Sequence, residues 1–582
     1  MHVFESKDRY YSEWSFDPPY QGTCDPIRMR LYTGDAITSD GKPCFQSPYR
    51  KNRSIPGVLC LSGGTHGRKK GRQLFRCVPA DRRLPVFLVP YTHKHAEFSK
   101  NPVDKYILFE IAEWDGKHPY GSSTNTLGPV SDLTATYAYL LHAANLHYPV
   151  QRLTKAAFHA LRSIVPGAKG TQEGVAVLEE ELRSKHVGIP GDRWGEAYTI
   201  DPEGAKDLDD AISISPVSCE TGMTSVSVYI ADPGYWVERL GLWSYLTDRT
   251  ATVYLPDGKR PMLPASCMSD GVCSLLSGRA RACLVLHCTL DSDGCCVEEE
   301  FEWGWCVVKR NMTYEQMDLE KSDDYMRLLN ITRLACAVDP LIETIVDSHE
   351  VVAYWMLKFN LVAGTALRKT TAGIYRYSAR PMVSRVPDDV PEETARICRY
   401  WGTSGAQYGT QETSLPHAGI GKGDRFYAQA SSPIRRIVDM VNMTLLIRGI
   451  TSGRAVSREE KAHAMQWLSR VDKIQMDSKS AKRLQSNCEL LERCVKAKED
   501  GEDVFWGYPI ALEPDSNGTS TSNGTSDIAQ RRYVVHIPGL KYLARVETDR
   551  EWDLFQKKRF SLHMFLDESV MHKKVRLSES EA

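Results

Sequence analysis

The chain of 582 residues is 42% hydrophobic, 25% charged and 9% aromatic, which excludes wholesale disorder, a collagen-like repeat and a disulfide-stapled miniprotein. Its length corresponds to about four domains at ~150 residues each, enough to bury a core without metal or disulfide staples. The 73 Lys and Arg nearly balance 74 Asp and Glu, so the formal net charge of -1 shows no global basic excess of the kind a nucleic-acid binder displays.

No apolar run reaches the ~18 residues of a membrane span. The first residues, with Glu5, Asp8 and Glu13, lack both the apolar stretch of a secretion signal and an Arg-rich, acid-poor transit pattern. The expectation is a protein with no membrane partner and a cytoplasmic location, with nuclear or mitochondrial as the alternatives. The sixteen cysteines are scattered and form no paired C-x2-C knuckles, so they read as reduced, structural thiols. The Asn-Gly-Thr repeats at Asn517 and Asn523 read as a flexible loop.

In chain order, residues 24 to 130 carry short β-favouring runs such as Pro85 to Val89 and Tyr106 to Ile111, separated by Gly and Pro, a pattern of small β-barrels. From Leu133 to Ile164 the apolar spacing is helical. Strand-like runs return at Val226 to Ile230, Ala282 to Leu290 and Val297 to Val308, and beyond Tyr314 the chain becomes mainly helical. Ser457 with Glu460 forms a capping box opening a helical stretch to about Asp500. A last β-like region, about Asp503 to Leu577, is interrupted by the low-complexity segment Glu513 to Asp527.

Charge is unevenly distributed along this plan. Between Arg50 and Arg83 there are ten Lys or Arg against Asp81 alone, a local net of +9, interleaved with Phe75. Such a segment can neutralise phosphates, and its plain alternative is a solvated loop. Between Glu196 and Asp210 the sign reverses: six acids meet Lys206. Here Asp201, Asp207, Asp209 and Asp210 crowd into ten residues beside apolar positions. Two carboxylates at ~4 Å repel by about 4 kcal/mol at an effective dielectric of 20, so bringing them together needs a cation or a proton. Oxygen-only ligands favour Mg²⁺, or Mn²⁺, over zinc. An EF-hand does not fit, because counting from Asp207 the sixth position is Ile212 and the twelfth Ser218. The alternative is a surface acidic turn.

A second constellation is Ser431-Ser432-Pro433-Ile434-Arg435-Arg436-Ile437-Val438-Asp439-Met440. Pro433 suggests a helix N-terminus, which attracts phosphate, and the adjacent arginines can grip its oxygens. The alternative is an Arg pair salt-bridged to Asp439. Metal, arginine and helix N-terminus together describe phosphodiester hydrolysis.

The aspartate run resembles the signature of the ribonuclease II/R (RNB) family. The resemblance continues in order through Tyr229-Ile230-Ala231-Asp232-Pro233, Val253-Tyr254-Leu255-Pro256-Asp257, Pro261-Met262-Leu263-Pro264, Ser269-Asp270-Gly271-Val272-Cys273-Ser274-Leu275-Leu276 and Met312-Thr313-Tyr314-Glu315-Gln316. It closes with His417-Ala418-Gly419-Ile420-Gly421 and Phe426-Tyr427 through Arg436. Upstream, Phe75 to Pro85 looks like the second cold-shock barrel of the eukaryotic, exosome-type branch, and Arg50 to Ser54 faintly resembles its first; the expectation is that branch's arrangement without its PIN endonuclease.

The resemblance implies an α+β multidomain fold: cold-shock/OB-type barrels at 1–70 and 71–132, a helical connector at 133–195, an RNB catalytic domain at 196–502, and a C-terminal OB-fold at 503–582 with a flexible insert at 513–527. It implies processive 3′→5′ hydrolysis of single-stranded RNA with a free 3′ end, releasing nucleoside 5′-monophosphates with Mg²⁺ or Mn²⁺. Asp201, Asp207, Asp209 and Asp210 match the family's metal-site acids, Asp209 being the one most needed for chemistry. Arg435 and its neighbour Arg436 match the arginine at the scissile phosphate. Tyr254 and Tyr314 match aromatics beside the last nucleotides, and Arg53, Arg76, Arg82 and Arg83 are the RNA-binding candidates of the barrels. The polypeptide is expected to be monomeric, with a decay complex or helicase as conceivable partners.

Several positions depart from the family. Ala353 and Tyr354 stand where an acidic pair is usual, with Glu350 a possible substitute on the same helical face. Ile437 replaces an aromatic, Met443 and Thr444 stand where His-Arg is common, and Gln429 replaces an aromatic or His. These changes point to altered grip or rate. The rival expectation is a weak or inactive RNB-fold RNA-binding or assembly factor, and a DNA nuclease is a third class.

Overall fold

The computed structural model describes residues 1–92, 102–164, 177, 196–216, 222–246, 248–314, 322–370, 372–378, 387, 390–401, 405–417, 420, 425–450, 454–513, 531–567 and 572–580. The connector beyond residue 164 (save 177), Glu315, Gln316, Ala418, Gly419, Gly421 and the insert from 514 to 527 therefore lie outside the described residues.

The molecule is an α+β multidomain protein. Strands β1 (His2–Ser6), β2 (Trp14–Asp17), β3 (Ala36–Ile37) and β4 (Pro43–Cys44) form a sheet in the order β2-β1-β3-β4 around Phe4, Phe16, Leu31 and Ile37. Strands β5 (Ile55–Cys60), β6 (Arg68–Lys69), β7 (Arg72–Pro79), β8 (Phe87–Tyr91), β9 (Lys105–Ile111) and β10 (Gly121–Pro129) form a second sheet, with β8 on β7 and reaching β10's end of the sheet through a Leu88–Tyr120 bridge. The boundary expected at residue 70 falls inside this sheet, between β6 and β7. Strand β5 pairs with β7 and β9, so the second barrel begins near Ile55. The first unit is a small four-stranded sheet with two-residue strands at β3 and β4. Local runs show that a strand exists, but which sheet it joins is decided by apolar faces that meet only in three dimensions.

Helix α1 (Leu133–Ala143) is capped by Asp132, whose carboxylate accepts from the N–H of Ala135 at 2.9 Å, and α2 (Gln151–Ile164) follows. A closed barrel then forms from β11 (Ala197–Asp201), β12 (Asp210–Pro216), β13 (Thr224–Ala231), β16 (Ala280–Leu290) and β17 (Cys296–Thr313). Between β13 and β16, α3 (Pro233–Arg239) and the hairpin β14 (Val253–Leu255) and β15 (Gly258–Arg260) leave the barrel. The near-continuous burial of β13 and β16 explains their apolar runs: both faces are covered. The helical half follows as α4 (Asp323–Val338), α5 (Ser348–Thr370), the small pair β18 (Tyr375–Tyr377) and β19 (Gln407–Gly409), α6 (Glu392–Trp401) between them, α7 (Ile437–Gly449), α8 (Arg458–Leu468) and α9 (Val471–Glu499).

Ser457 caps α8 through the N–H of Glu460 at 3.1 Å. The Glu460 carboxylate does not return the bond but takes Arg454, at 2.6 Å from both of its oxygens. Helix α9 is joined through Ala481, Leu484, Cys488 and Leu491 to α1, the second sheet and β14, so it braces the β14–β15 hairpin against the second sheet. The C-terminal sheet, β20 (Val504–Glu513), β21 (Arg531–Ile537), β22 (Tyr542–Thr548), β23 (Lys558–Asp567) and β24 (His572–Glu579), has the order β22-β21-β20-β23-β24. Among the described residues fifteen cysteines are free thiols, and no helix is long and apolar enough to cross a membrane.

Candidate active site

The acidic loop joins the end of β11 to the start of β12. Its turn needs Gly204 in the left-handed region (φ +77°), where a side chain would be strained. Leu208 is pinned inward: its N–H donates to Ser274 Oγ at 3.1 Å, and its carbonyl accepts from Leu275 at 3.0 Å. Its neighbours Asp207 and Asp209 then line the cavity instead of the core. Arg281, fully buried, holds the receiving segment in place by donating to the carbonyls of Ser274 and Gly271.

The loop opens into a cavity of about 1140 Å³ lined by all four aspartates, Tyr254, Lys259, Tyr314, His349, Arg435 and Arg436, among others. The acids are not equivalent there. Asp209, 2% exposed, accepts from the Ile434 N–H at 2.8 Å and from Arg435 Nε at 3.1 Å. Burial pushes its carboxyl up to about 7 in spite of the arginine. Both oxygens of Asp207 are taken by the hairpin, one by Tyr254 Oη at 2.7 Å and the other by Lys259 Nζ at 2.8 Å.

Asp201 and Asp210 remain. Asp201 Oδ2 is buried with no hydrogen-bond partner, and burial together with neighbouring acids raises both carboxyls above the ordinary range. Among the described residues no three carboxylates, thiols or imidazoles converge into a ready cage. Of the four aspartates expected as ligands, all line the cavity; Lys259 and Arg435 already neutralise Asp207 and Asp209, which leaves Asp201 and Asp210 as the pair best placed to take a cation. A pair with an orphaned oxygen fits Mg²⁺, which commonly takes one or two carboxylates and keeps its waters.

The arginines also separate in role. Arg435, half-exposed to the cavity, holds Asp209 through Nε and donates Nη2 to Ser432 Oγ at 3.0 Å. Arg436 is tied by Nη2 to Asp439 at 2.7 Å, so the salt bridge weighed in the sequence is present, and the residue still lines the cavity beside Arg435. The helix expected from Pro433 begins at Ile437 with Arg436 at its cap. The Ile434 and Ser432 N–H groups that would have faced phosphate are spent on Asp209 and Asp439.

On the opposite wall Tyr314 stacks on His349, with ring centroids 4.0 Å apart and planes 12° from parallel. The α5 residues on the cavity are His349, Val352, Ala353, Met356 and Asn360. Glu350 is not among them: its carboxylate accepts from the Asp347 N–H at 3.0 Å, so it does not replace the missing acidic pair. His349 was missed by the sequence reading, although the steps 349, 353, 356 and 360 mark one helical face. Tyr354, Ile437, Met443 and Thr444 are buried in the core, so these departures alter packing, while Gln429 lines the cavity and accepts from Tyr408 Oη.

Of the barrel arginines, Arg76 and Arg82 are exposed and Arg53 lies 3.8 Å from Glu110. Arg83 is engaged by Asp81, Glu5 and the Tyr49 hydroxyl, so it braces the two N-terminal sheets against each other. In the C-terminal sheet, Trp506 is 50% exposed with Lys557 Nζ 4.4 Å and the Arg559 guanidinium 5.6 Å from its ring centre, beside a cavity of about 660 Å³. This aromatic and basic surface was also missed, since Lys557 and Arg559 are some fifty residues from Trp506 and meet it only through the β20–β23 pairing.

Comparison with known proteins places these features. Residues 193–338 match the RNB domain and residues 74–145 the Dis3-like cold-shock domain 2. Ribonuclease R of Thermotoga maritima is 36% identical over 215 residues, 36% of this chain and 28% of that protein, so the chain matches well under a third of that relative's length. RNase R of Mycoplasma genitalium, solved with ribose-methylated single-stranded RNA, shares the fold at a TM-score of 0.62 and 15% identity, covering 99% of this chain and 100% of that one. Yeast Ssd1, described as a pseudonuclease, shares it at a TM-score of 0.54 and 14% identity, over 87% and 66% of the two chains.

Proposed function

We propose that this chain, which carries the RNB domain of the ribonuclease II/R family, is a hydrolytic exoribonuclease that degrades single-stranded RNA processively from a free 3′ end and releases nucleoside 5′-monophosphates. The observation that carries the reading is the convergence, in one cavity, of the orphaned Asp201 carboxylate, Asp210 and the Asp209–Arg435 pair.

Mg²⁺ or Mn²⁺ held by Asp201 and Asp210 would supply a Lewis acid at the scissile phosphate and activation of water. The protein's own groups do the rest. Asp209 fixes the Arg435 guanidinium through Nε, and with Nη2 on Ser432 the Nη1 amine is left for a phosphate oxygen as negative charge builds on it. Tyr254 and the Tyr314–His349 stack offer aromatic surface to the terminal bases, and the cavity walls align the strand.

Purified protein should shorten a 5′-labelled RNA with a 3′ single-stranded tail in Mg²⁺ and not in chelator, with 5′-monophosphates as product. No shortening, under conditions where D209N binds the same RNA equally well, would reject the reading. A second reading, an RNA-binding factor that retains the fold, is favoured by the engagement of both Asp207 oxygens and by Ala353 at the cavity wall. It would be supported by tight RNA binding without turnover.

A further inference from the structure

The hairpin β14–β15 places Tyr254 and Lys259 opposite one another in register, and both reach Asp207. Lys259 Nζ also donates to Asp270 at 2.6 Å, whose same oxygen accepts from Ser269 Oγ at 2.8 Å. Its side chain is 20% exposed and lines the cavity with Asp201, Asp209 and Asp210. Six carboxylates, Glu203 among them, therefore line this volume, and two of them share one ammonium. Burial alone would favour a neutral amine, but the two carboxylates outweigh it and hold Lys259 protonated.

We propose that Lys259 is a built-in counter-ion of the catalytic centre: by occupying Asp207 and Asp270 it takes the place of a further divalent ion and restricts the site to a single metal at Asp201 and Asp210. The inference rests on the metal reading above. Its physical basis is charge. A fixed ammonium neutralises the carboxylates that a second cation would need, repels that cation, and engages the Asp207 oxygens so that they cannot turn toward metal. Lys259 is then a positioning residue, setting how many ions enter and where.

The test is a Mn²⁺ titration of the full chain followed by electron paramagnetic resonance and calorimetry, on wild type, K259M, K259Q, K259R and the control K309M. Lys309 is half-exposed and pairs with Glu196 away from the cavity, so K309M makes the same net-charge change elsewhere. Wild type and K259R are expected to take up one ion. K259M and K259Q should gain a second ion, or bind the first on the order of ten-fold more tightly, while K309M stays at the wild-type value. K259Q keeps a donor to Asp207 and serves if K259M fails to fold.

Unchanged stoichiometry and affinity in folded K259M or K259Q would overturn the proposal, as would an equal gain in K309M. If wild type bound no Mn²⁺ and K259M bound one, the lysine's role would stand and the metal-dependent nuclease reading would fall.

Discussion

Asp209 and Arg435, 226 residues apart in sequence, meet at 3.1 Å on the cavity wall, with the aspartate buried and the guanidinium half-open to solvent. A buried carboxylate held by one arginine and one backbone N–H sets the direction of that arginine. D209N keeps the shape but loses the charge that holds Nε. It should lower single-turnover hydrolysis by roughly a hundred-fold or more while RNA affinity by anisotropy stays within a few-fold. R435K should fall similarly, since an ammonium lacks the fork that reaches aspartate, serine and phosphate together.

Metal uptake should depend on two of the four aspartates. D201N and D210N are expected to abolish calorimetric Mn²⁺ binding, whereas D209N should leave it within a few-fold, because the Asp209 oxygens are spent on Ile434 and Arg435. Equal loss in all three would show that Asp209 is a ligand.

The Tyr314–His349 stack predicts where degradation stops. H349A removes the support under the tyrosine and should raise KM by up to about ten-fold and lengthen the end product, read on a sequencing gel, with less effect on kcat. E350Q should change neither, as Glu350 lies off the cavity.

Trp506 predicts a grip outside the cavity. W506A should weaken binding of long single-stranded RNA by ~1–3 kcal/mol, the value of one base stack, and leave cleavage of very short RNA unchanged. Neutralising the exposed Arg76 and Arg82 should instead flatten the salt dependence of binding.

His463 predicts a pH dependence of stability. Its imidazole is enclosed beside Trp243, accepts from Trp467 Nε1 at 3.1 Å, and burial pushes it down to about 4. The unfolded chain takes up a proton near pH 6.5 while the folded one does not, so its contribution is complete above that value and declines as pH falls from about 6.5 to about 4, by roughly 1.4 kcal/mol per unit at most. Thermal melts of H463Q, which keeps an acceptor, should fall less steeply over that window than wild type.

Much of the catalytic half was legible because its elements are long and its acids adjacent. The runs at Val226, Ala282 and Val297 became β13, β16 and β17, and Ser457 caps its helix. Division of labour among the acids was not legible. Asp207 and Asp209 are two residues apart, yet one is claimed by a hairpin 52 residues on and the other by a loop more than 220 residues on. Which sheet Ile55–Cys60 joins was not legible either, because it is decided by pairing with β7 and β9, up to about fifty residues further along the chain.

By itself the sequence determined that this neutral chain holds opposite charges apart: a basic segment from Arg50 to Arg83 and an acid-rich loop from Glu196 to Asp210. Only the tertiary structure decided which of those charges remain available. Arg83, Arg436, Asp207 and Asp209 find partners, while Arg76 and Arg82 stay exposed and Asp201 keeps a buried oxygen without one. The physical reason is that a charge is neutralised by whatever lies within a few ångströms of it, and that neighbourhood exists only after folding.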